Sequence, residues 1–400
     1  MLKTQWMSLE LNTPCVFSSL TLMSNTDLEH HFEYYKKVLN TGIGAIVLPS
    51  VNPSRKDNSD ICKSISDCIT INTGFPNNSK MGFSVLGPTS NIIPINYGKR
   101  LAERICSISG NVKIVGSIAN IGTYDDIKNA VKELCQTNID ALELNFSCPN
   151  VISRNSYKEA NGSFLKEIRS ITNLPISLKI TPYQDYSEIL DSIENEIDGI
   201  TISNAYIGLI PPKIDDVCSS PFERRTHWSP SGIYGPFEKN LTFYNLYKLI
   251  ALAKSKQLSL ACVGGLINAE DIIQAIMIGA DVVQLSSAIV WEGIGFIDYC
   301  LSGIEKYLMD KNISSINNIK GIALYNIKDN ADVLGEYDKN HTVHVNTEKC
   351  KKCKNCRCCN RLCVAISQEE NGKVSIDEHL CSGCKWCFNQ CLNGAIEIRY

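Results

Sequence analysis

Short apolar runs recur along the first three hundred residues: "CVFSSL" (15–20), "GAIVLP" (44–49), "KIVGSI" (113–118), "ALELNF" (141–146), "ISLKIT" (176–181), "GITISN" (199–204), "LSLACVGG" (258–265) and "DVVQLS" (281–286). Most are apolar on both faces, as the strands of a buried parallel sheet must be; a half-exposed strand would alternate. Longer segments with apolar residues on one helical face lie between several of them: "LEHHFEYYKKVLNTG", "DIKNAVKELCQTN", "FYNLYKLIALAKSK" and "AEDIIQAIMIGA". Strand and helix in alternation over residues 1–300 predict an α/β protein built as a (β/α)8 barrel, with an open doubly wound sheet as the competing arrangement. Two interstrand stretches, 50–112 and 205–235, are too long to be plain connectors. In a barrel both follow strands and reach the C-terminal face, where active sites are built.

Residues 301–340, with "IEKYLMDK" and "ALYNIKDNADVLG", read as a helical connector. From 341 to 400 the apolar rhythm gives way to cysteines, lysines and short strands, which predicts a second, small α+β domain. The net charge of −3 provides no electrostatic footprint for a nucleic acid. The start, "MLKTQWMSLELNTPC", lacks a basic stretch leading into an apolar one, and no uninterrupted apolar run is long enough to span a bilayer. The expectation is a soluble cytoplasmic protein that uses neither nucleic acid nor membrane.

Cysteine changes the picture. Of 19 in the chain, ten fall between Cys350 and Cys391. So dense a group without a secretory leader reads as metal ligands, not disulfides. Cys381, Cys384, Cys387 and Cys391 form a C-x2-C-x2-C-x3-C run. That is the iron–sulfur spacing in which three thiolates hold one cluster and the fourth ligates the other. The first group, "CKKCKNCRCCNRLC", contains the same spacing at Cys353, Cys356, Cys359 and Cys363, and this intact register is the preferred one. A rival register aligns "VNTEKC" with "IDEHLC"; it makes Cys350, Cys353 and Cys356 the triad and leaves Cys358, Cys359 or Cys363 to supply the fourth thiolate. Paired C-x2-C motifs can also build a zinc site, but two copies of the run favour two [4Fe-4S] clusters.

The barrel has candidate chemistry of its own. Gly264-Gly265 follows one predicted strand and precedes a helix, and "QLSSA" ends the next strand. Glycines there let backbone N–H groups approach a phosphate at the position where barrels commonly bind one. Lys179 sits inside an apolar run, where an unpaired charge is costly, so it is expected to meet a ligand and not solvent. Cys148 ends "LELNFSC" at the ligand face. A lone cysteine usually serves packing, and metal ligation is disfavoured because no second cysteine or histidine lies at ligand spacing. A thiol beside a ring can instead give or take a proton while hydride moves on the neighbouring carbon.

"ELNFSCPN", "SLKITP", "ISNAYIGL", "SGIYGP" and "VGGLINAEDIIQAIMIGADVVQLSSA" resemble the motifs of class 1 dihydroorotate dehydrogenases and of the FMN domain of dihydropyrimidine dehydrogenases. The cysteine-rich end resembles a bacterial two-cluster ferredoxin, so the whole is most similar to the bacterial dihydropyrimidine dehydrogenase subunit that carries FMN and iron–sulfur clusters. The resemblance implies FMN and two [4Fe-4S] clusters as cofactors. It implies Ser19 under the flavin, Asn145 and Lys179 at its edge, and Gly235, Gly264, Gly265, Ser286 and Ser287 around its phosphate. Asn145, Ser147, Asn150 and Asn204 would hold a planar pyrimidine, and Cys148 would be the acid/base. The loop "VISRNSYKEANGSF" would be a lid over it.

Three departures surround this pocket, one of them the segment "DDVCSSPFERRTHW" between Gly208 and Gly232, which matches none of the family's motifs. The family usually has a lysine near the end of the second strand, where this chain reads "IVLPSVN" with Pro49 and Ser50, and a Ser or Thr where this chain has Ala205. The leading expectation is an oxidoreductase that acts on the CH–CH or C=C bond of a pyrimidine or related cyclic amide. Electrons would pass through both clusters to or from a partner. No G-x-G-x-x-G dinucleotide fingerprint is present, so the partner would be an NAD(P)H-oxidising flavoprotein subunit or a ferredoxin, within a homo- or hetero-oligomer. The alternatives are a dihydroorotate dehydrogenase with a fused ferredoxin domain, and a flavin and iron–sulfur electron-transfer or sensing protein that turns over no organic substrate.

Overall fold

The predicted runs fold as β1 (Cys15–Phe17), β2 (Ala45–Val47), β3 (Lys113–Ala119), β4 (Ala141–Asn145), β5 (Ile176–Lys179), β6 (Gly199–Ile202), β7 (Ser259–Val263) and β8 (Val282–Leu285). Each pairs in parallel with its successor. The last returns to the first, Val283 opposite Cys15, so the sheet closes. That pairing excludes the open sheet and makes the fold a (β/α)8 barrel. The computed structural model describes residues 1–19, 27–55, 69–71, 83–85, 92–147, 162–183, 185–193, 195–209, 212, 214, 230–328, 342–353, 356 and 363–399.

Helices α1 (Leu28–Leu39), α2 (Ile95–Cys106), α3 (Tyr124–Cys135), α4 (Gly162–Ile171), α5 (Tyr186–Asp191), α6 (Lys239–Ser255), α7 (Ala269–Ile278) and α8 (Ser287–Glu292) follow the strands in turn. Their start signals are local. Thr123 and Asp126 form a capping box at α3, and Asn268 caps α7 by accepting from the Asp271 amide. Inward faces follow the helical period: α3 buries Ile127, Ala130, Val131 and Leu134 against the sheet. One more helix, α9 (Phe296–Asp310), sinks Cys300, Leu301, Ile304 and Leu308 into the same core. The first compact unit therefore runs to Asn326, through much of the segment expected to be a connector.

Inside the barrel, composition changes along the axis. A hairpin of Thr4–Trp6 and Leu9–Leu11 supplies Trp6, Met7 and Leu11, which pack with Val16, Ala45, Val47, Val115, Ala141, Ala261 and Val282. Two residues further along the strands the buried positions turn polar: Ser117, Glu143, Ser177, Thr201 and Gln284. Because side chains alternate between faces, Asn145 and Lys179 at the strand ends point the same way as Glu143 and Ser177. The apolar end is a packed floor, and the polar end lies at the C-terminal ends of the strands, where barrel chemistry is built.

The two long interstrand stretches meet. Ile69–Ile71 and Phe83–Val85 from one, and Tyr206–Gly208 and Ser231–Tyr234 from the other, form a four-stranded antiparallel sheet.

The second unit, Ile327–Tyr400, contains β9 (Thr342–Val345), β10 (Ile366–Gln368), β11 (Val374–Ile376), β12 (Ile396–Arg399) and α10 (Trp386–Gln390). β9 pairs with β12 and β10 with β11, both antiparallel. Val343, Ile366, Val374 and Ile396 make its small core. Among the described residues no helix is long and apolar enough to cross a membrane.

Candidate active site

β4 carries the chain into the barrel mouth with Asn145 at its last position and buried Ser147 just beyond. The Asn145 carboxamide is engaged at both ends: Nδ2 donates to Ser50 Oγ at 3.1 Å, and Oδ1 accepts from Ser147 Oγ at 3.1 Å. From the end of β6, Asn204 Nδ2 donates to Ser147 Oγ at 2.9 Å and to Asn145 Oδ1 at 3.3 Å. Asn204 Oδ1 accepts the Ala205 amide at 2.8 Å, which orients its carboxamide. Three of the residues expected at the pyrimidine thus touch one another. Cys148 and Asn150 lie outside the described residues, as does most of the expected lid.

Ser50, just past the end of β2, is a buried hub. Its Oγ lies 2.7 Å from Ser117 Oγ and 3.1 Å from Ser19 Oγ, and it accepts from Asn145. A short hydroxyl able to donate and accept ties the ends of β1 to β4 together without introducing a charge.

Lys179 is opposite Asn145 on the neighbouring strand and is 4 % exposed. Its Nζ lies 3.7 Å from Glu143 Oε1, 3.4 Å from Ser18 Oγ and 3.5 Å from Gln284 Oε1. Glu143 Oε2 accepts from Gln284 Nε2 at 2.8 Å and Thr201 Oγ1 at 3.0 Å. Glu143, Thr201, Gln284 and Ser18 were not anticipated from the sequence. A signal for Glu143 existed: a single carboxylate inside the apolar strand "LELN" must find a partner. Which partner could not be read there, since the four residues come from four different strands or strand ends.

The loop after β7, where a phosphate site was expected, turns on two glycines. Gly264 (φ 116°) and Gly265 (φ 79°) are in conformations that favour glycine. A Cβ on Gly265 would meet the Lys239 backbone N at 2.3 Å, and one on Gly264 would meet Thr242 Oγ1 at 2.9 Å. The loop is pinned by Asp271, which accepts the Ile267 amide at 2.9 Å and Lys239 Nζ at 2.7 Å. Gly235 (φ 144°) begins the turn that packs under this loop, where its carbonyl accepts the Glu238 amide at 3.0 Å. Ser286 and Ser287 stand at the end of the adjoining strand, β8, where α8 begins. Glu238 is buried beside Gly264 and its Oε1 accepts the Tyr206 amide at 3.4 Å; burial, opposed in part by backbone hydrogen bonds from Tyr206 and Gly235, pushes its carboxyl up to about 8.

The scattered cysteines separate by environment. Cys262 and Cys300 are buried in the barrel core, and burial pushes both thiols up to about 12; Cys15 is pushed up further by the same cause. A thiol so far from ionising is packing material.

In the second unit the backbone repeats itself. The Asn346 amide donates to Ala395 O and the Asp377 amide to Ala365 O, both at 2.7 Å. The Cys350 amide donates to Asn346 O and the Cys381 amide to Asp377 O, both at 3.0 Å. Asn346 and Asp377 cap the intervening turns with their side chains. The backbone repeat therefore gives Cys350 and Cys381 equivalent positions in the fold, the equivalence on which the rival register is built. Cys359 lies outside the described residues. Cys350, Cys356, Cys381, Cys387 and Cys391 pack against the small core, while Cys353, Cys363 and Cys384 are exposed. Cys353 Sγ accepts from Asn393 Nδ2 at 3.5 Å, two residues from Cys391. The Cys387 thiol is pushed up by burial, then by Cys381, with Cys363 adding to it. Among the described residues no three His, Cys, Asp or Glu side chains converge on one point as ligands of a single ion. Thiolates of a four-iron cluster bind separate irons and need no such convergence.

Residues 7–308 match the family model described as dihydroorotate dehydrogenase. The chain is 29% identical over 220 residues to the "Dihydroorotate dehydrogenase B (NAD(+)), catalytic subunit" of Petrotoga mobilis, covering 51% of this chain and 68% of that one. It is 26% identical over 290 residues to the protein of the same name from Methanosarcina mazei, covering 70% and 84%. The matched span includes the whole barrel and every polar residue gathered at its mouth. The chain belongs to the dihydroorotate dehydrogenase family, whose members are oxidoreductases acting on a CH–CH donor.

Proposed function

We propose that this protein is an FMN and iron–sulfur oxidoreductase that interconverts a CH–CH and a C=C bond in a pyrimidine or related cyclic amide, in the manner of a dihydropyrimidine dehydrogenase. One observation carries the reading: the joined amides and hydroxyl of Asn145, Ser147 and Asn204 share a barrel mouth with a buried ammonium and a glycine cradle. FMN, which membership in this family implies, fits that mouth. Gly264 and Gly265 let the loop after β7 lie directly against Lys239 and Thr242 at the start of α6, and Lys179 offers a cation in a buried setting.

Gly235, Gly264, Gly265, Ser286 and Ser287 would hold the phosphate, Lys179 and Asn145 the edge of the ring system, and Ser19 its underside. When bound, FMN supplies hydride exchange at N5. The chain's own residues do the rest. Asn145, Ser147 and Asn204 would pair with the C=O and N–H groups of a planar cyclic amide, holding the ring flat against the flavin. Cys148, a few residues past the end of β4, would give the proton to the carbon next to the one that exchanges hydride, or take it in the reverse direction.

In the second unit, the backbone repeat supports Cys350, Cys353 and Cys356 as one triad and Cys381, Cys384 and Cys387 as the other. By the spacing rule in which the fourth thiolate of each run ligates the other cluster, Cys391 would complete the first cluster and Cys363 the second, and the bond from Asn393 to Cys353 brings the first triad near Cys391. Two clusters would relay electrons to or from a partner, a flavoprotein subunit that oxidises NAD(P)H or a ferredoxin, in the cytoplasm. A specific observation favours a second reading, a dihydroorotate dehydrogenase with a fused ferredoxin-like domain: the relatives from Petrotoga mobilis and Methanosarcina mazei are named as catalytic subunits of dihydroorotate dehydrogenase B.

Anaerobically purified protein is expected to carry flavin and about eight irons per chain, as two four-iron clusters require. Stoichiometric zinc in place of iron would defeat the cluster assignment. Reoxidation of the reduced flavin by a panel of uracil, thymine, orotate and related unsaturated lactams then separates the readings. Orotate alone supports the dihydroorotate dehydrogenase, uracil or thymine the leading proposal, and no turnover with any of them the electron-transfer role.

A further inference from the structure

Glu143 on β4 and Lys179 on β5 face each other inside the barrel, Oε1 to Nζ at 3.7 Å, with side chains 0% and 5% exposed. A pair so deeply buried recovers its desolvation cost only when the remaining atoms of both groups are satisfied. Oε2 meets that condition, with Gln284 Nε2 and Thr201 Oγ1 donating to it. Oε1 does not: among the described residues it has no hydrogen-bond partner, and it looks toward the ammonium. Gln284 completes the arrangement. Its amide nitrogen is committed to Glu143, so its Oε1 turns to Ser18 Oγ at 3.1 Å and to Lys179 Nζ at 3.5 Å. The ammonium is thus drawn toward two oxygens from neighbouring walls of the barrel.

We propose that Glu143 is a positioning residue for Lys179 and its counter-charge, and that it thereby sets the flavin midpoint potential. The inference rests on the reading of Lys179 as the cation at the flavin edge. Reduction places negative charge on the N1 and C2 carbonyl edge of a flavin, which a nearby ammonium stabilises. A carboxylate held against that ammonium offsets part of the stabilisation and keeps the potential lower. A pair present only for barrel stability would leave the potential alone.

The test measures flavin content and flavin midpoint potential, by anaerobic spectroelectrochemical titration of the full chain, in wild type, Glu143→Gln and Thr201→Val. In Glu143→Gln the counter-charge is gone, and the midpoint is expected to rise by the equivalent of tenfold or more in the reduction equilibrium, about 30 mV for a two-electron couple. Removing one partner of a buried pair can prevent folding. Thr201→Val keeps both charges but withdraws one donor from Oε2; the carboxylate then bears more of its charge and the midpoint is expected to fall. Wild-type protein that binds no flavin would overturn the underlying reading together with this one. Flavin-loaded wild type alongside a folded variant of unchanged midpoint would overturn the role of Glu143 alone.

Discussion

Glu238 offers a sharp test of the barrel mouth's physics through the substitution Glu238→Gln. The side chain is 3% exposed, and burial, only partly offset by backbone hydrogen bonds from Tyr206 and Gly235, lifts its carboxyl from an ordinary 4.5 to about 8. Between those two values the folded protein retains a proton that the unfolded chain releases. Unfolding free energy must therefore decline as pH rises through that window, by about 1.4 kcal/mol per pH unit. The favourable contribution is complete below the ordinary carboxylate value and lost as pH climbs through about 8, with a ceiling on the order of 5 kcal/mol. Glutamine keeps the shape and cannot ionise, so it removes the slope. Urea unfolding at pH 5, 7 and 9, followed by far-UV circular dichroism, should show the variant gaining on the wild type with each step. All other titrating groups cancel in the difference. A gap between the two proteins that stays constant from pH 5 to pH 9 would refute the assignment of a neutral buried acid beside Gly264.

Gly265→Ala should lose bound flavin. A side chain at φ 79° costs about 1–2 kcal/mol and its Cβ would stand 2.3 Å from the Lys239 backbone nitrogen, so the loop must move; the flavin-to-protein absorbance ratio measures this. Cys148→Ala should keep flavin and iron yet lose ~10²–10⁴-fold in turnover with the authentic substrate, the usual contribution of general acid or base catalysis. Cys350→Ser should lower iron content by about half if one four-iron cluster depends on it, while iron retained in full would restore the register that starts at Cys353.

The barrel was legible because its information is local. Runs such as "GAIVLP" and "LSLACVGG" are largely apolar on both faces, the pattern of a sheet covered on both sides, and α3 and α7 carry their caps beside their own apolar stripes. Lys179 and Gly264-Gly265 could be named for the same reason, since each sits at a strand end and strand ends can be located from sequence, whereas Asn145 was named through the family resemblance. The reach of the first unit beyond residue 300 was not legible, since α9 carries an ordinary amphipathic pattern and nothing local says which surface it covers.

Sequence by itself determined the strand and helix order, the strand-end positions of the site and the presence of two cysteine groups. Tertiary structure decided three matters. Closure, through Val283 beside Cys15, decided between barrel and open sheet. The partners of the buried charges came next: Glu143, Thr201, Gln284 and Ser18 approach Lys179 from separate strands, and Ser50 ties Asn145 to Ser19 and Ser117. Last was the backbone repeat of the second unit, whose turns at Asn346 and Asp377 give Cys350 and Cys381 equivalent positions. The physical reason is common to all three. Periodicity reports which way a side chain faces along its own segment, whereas hydrogen bonding and charge pairing depend on distances between segments far apart in the chain.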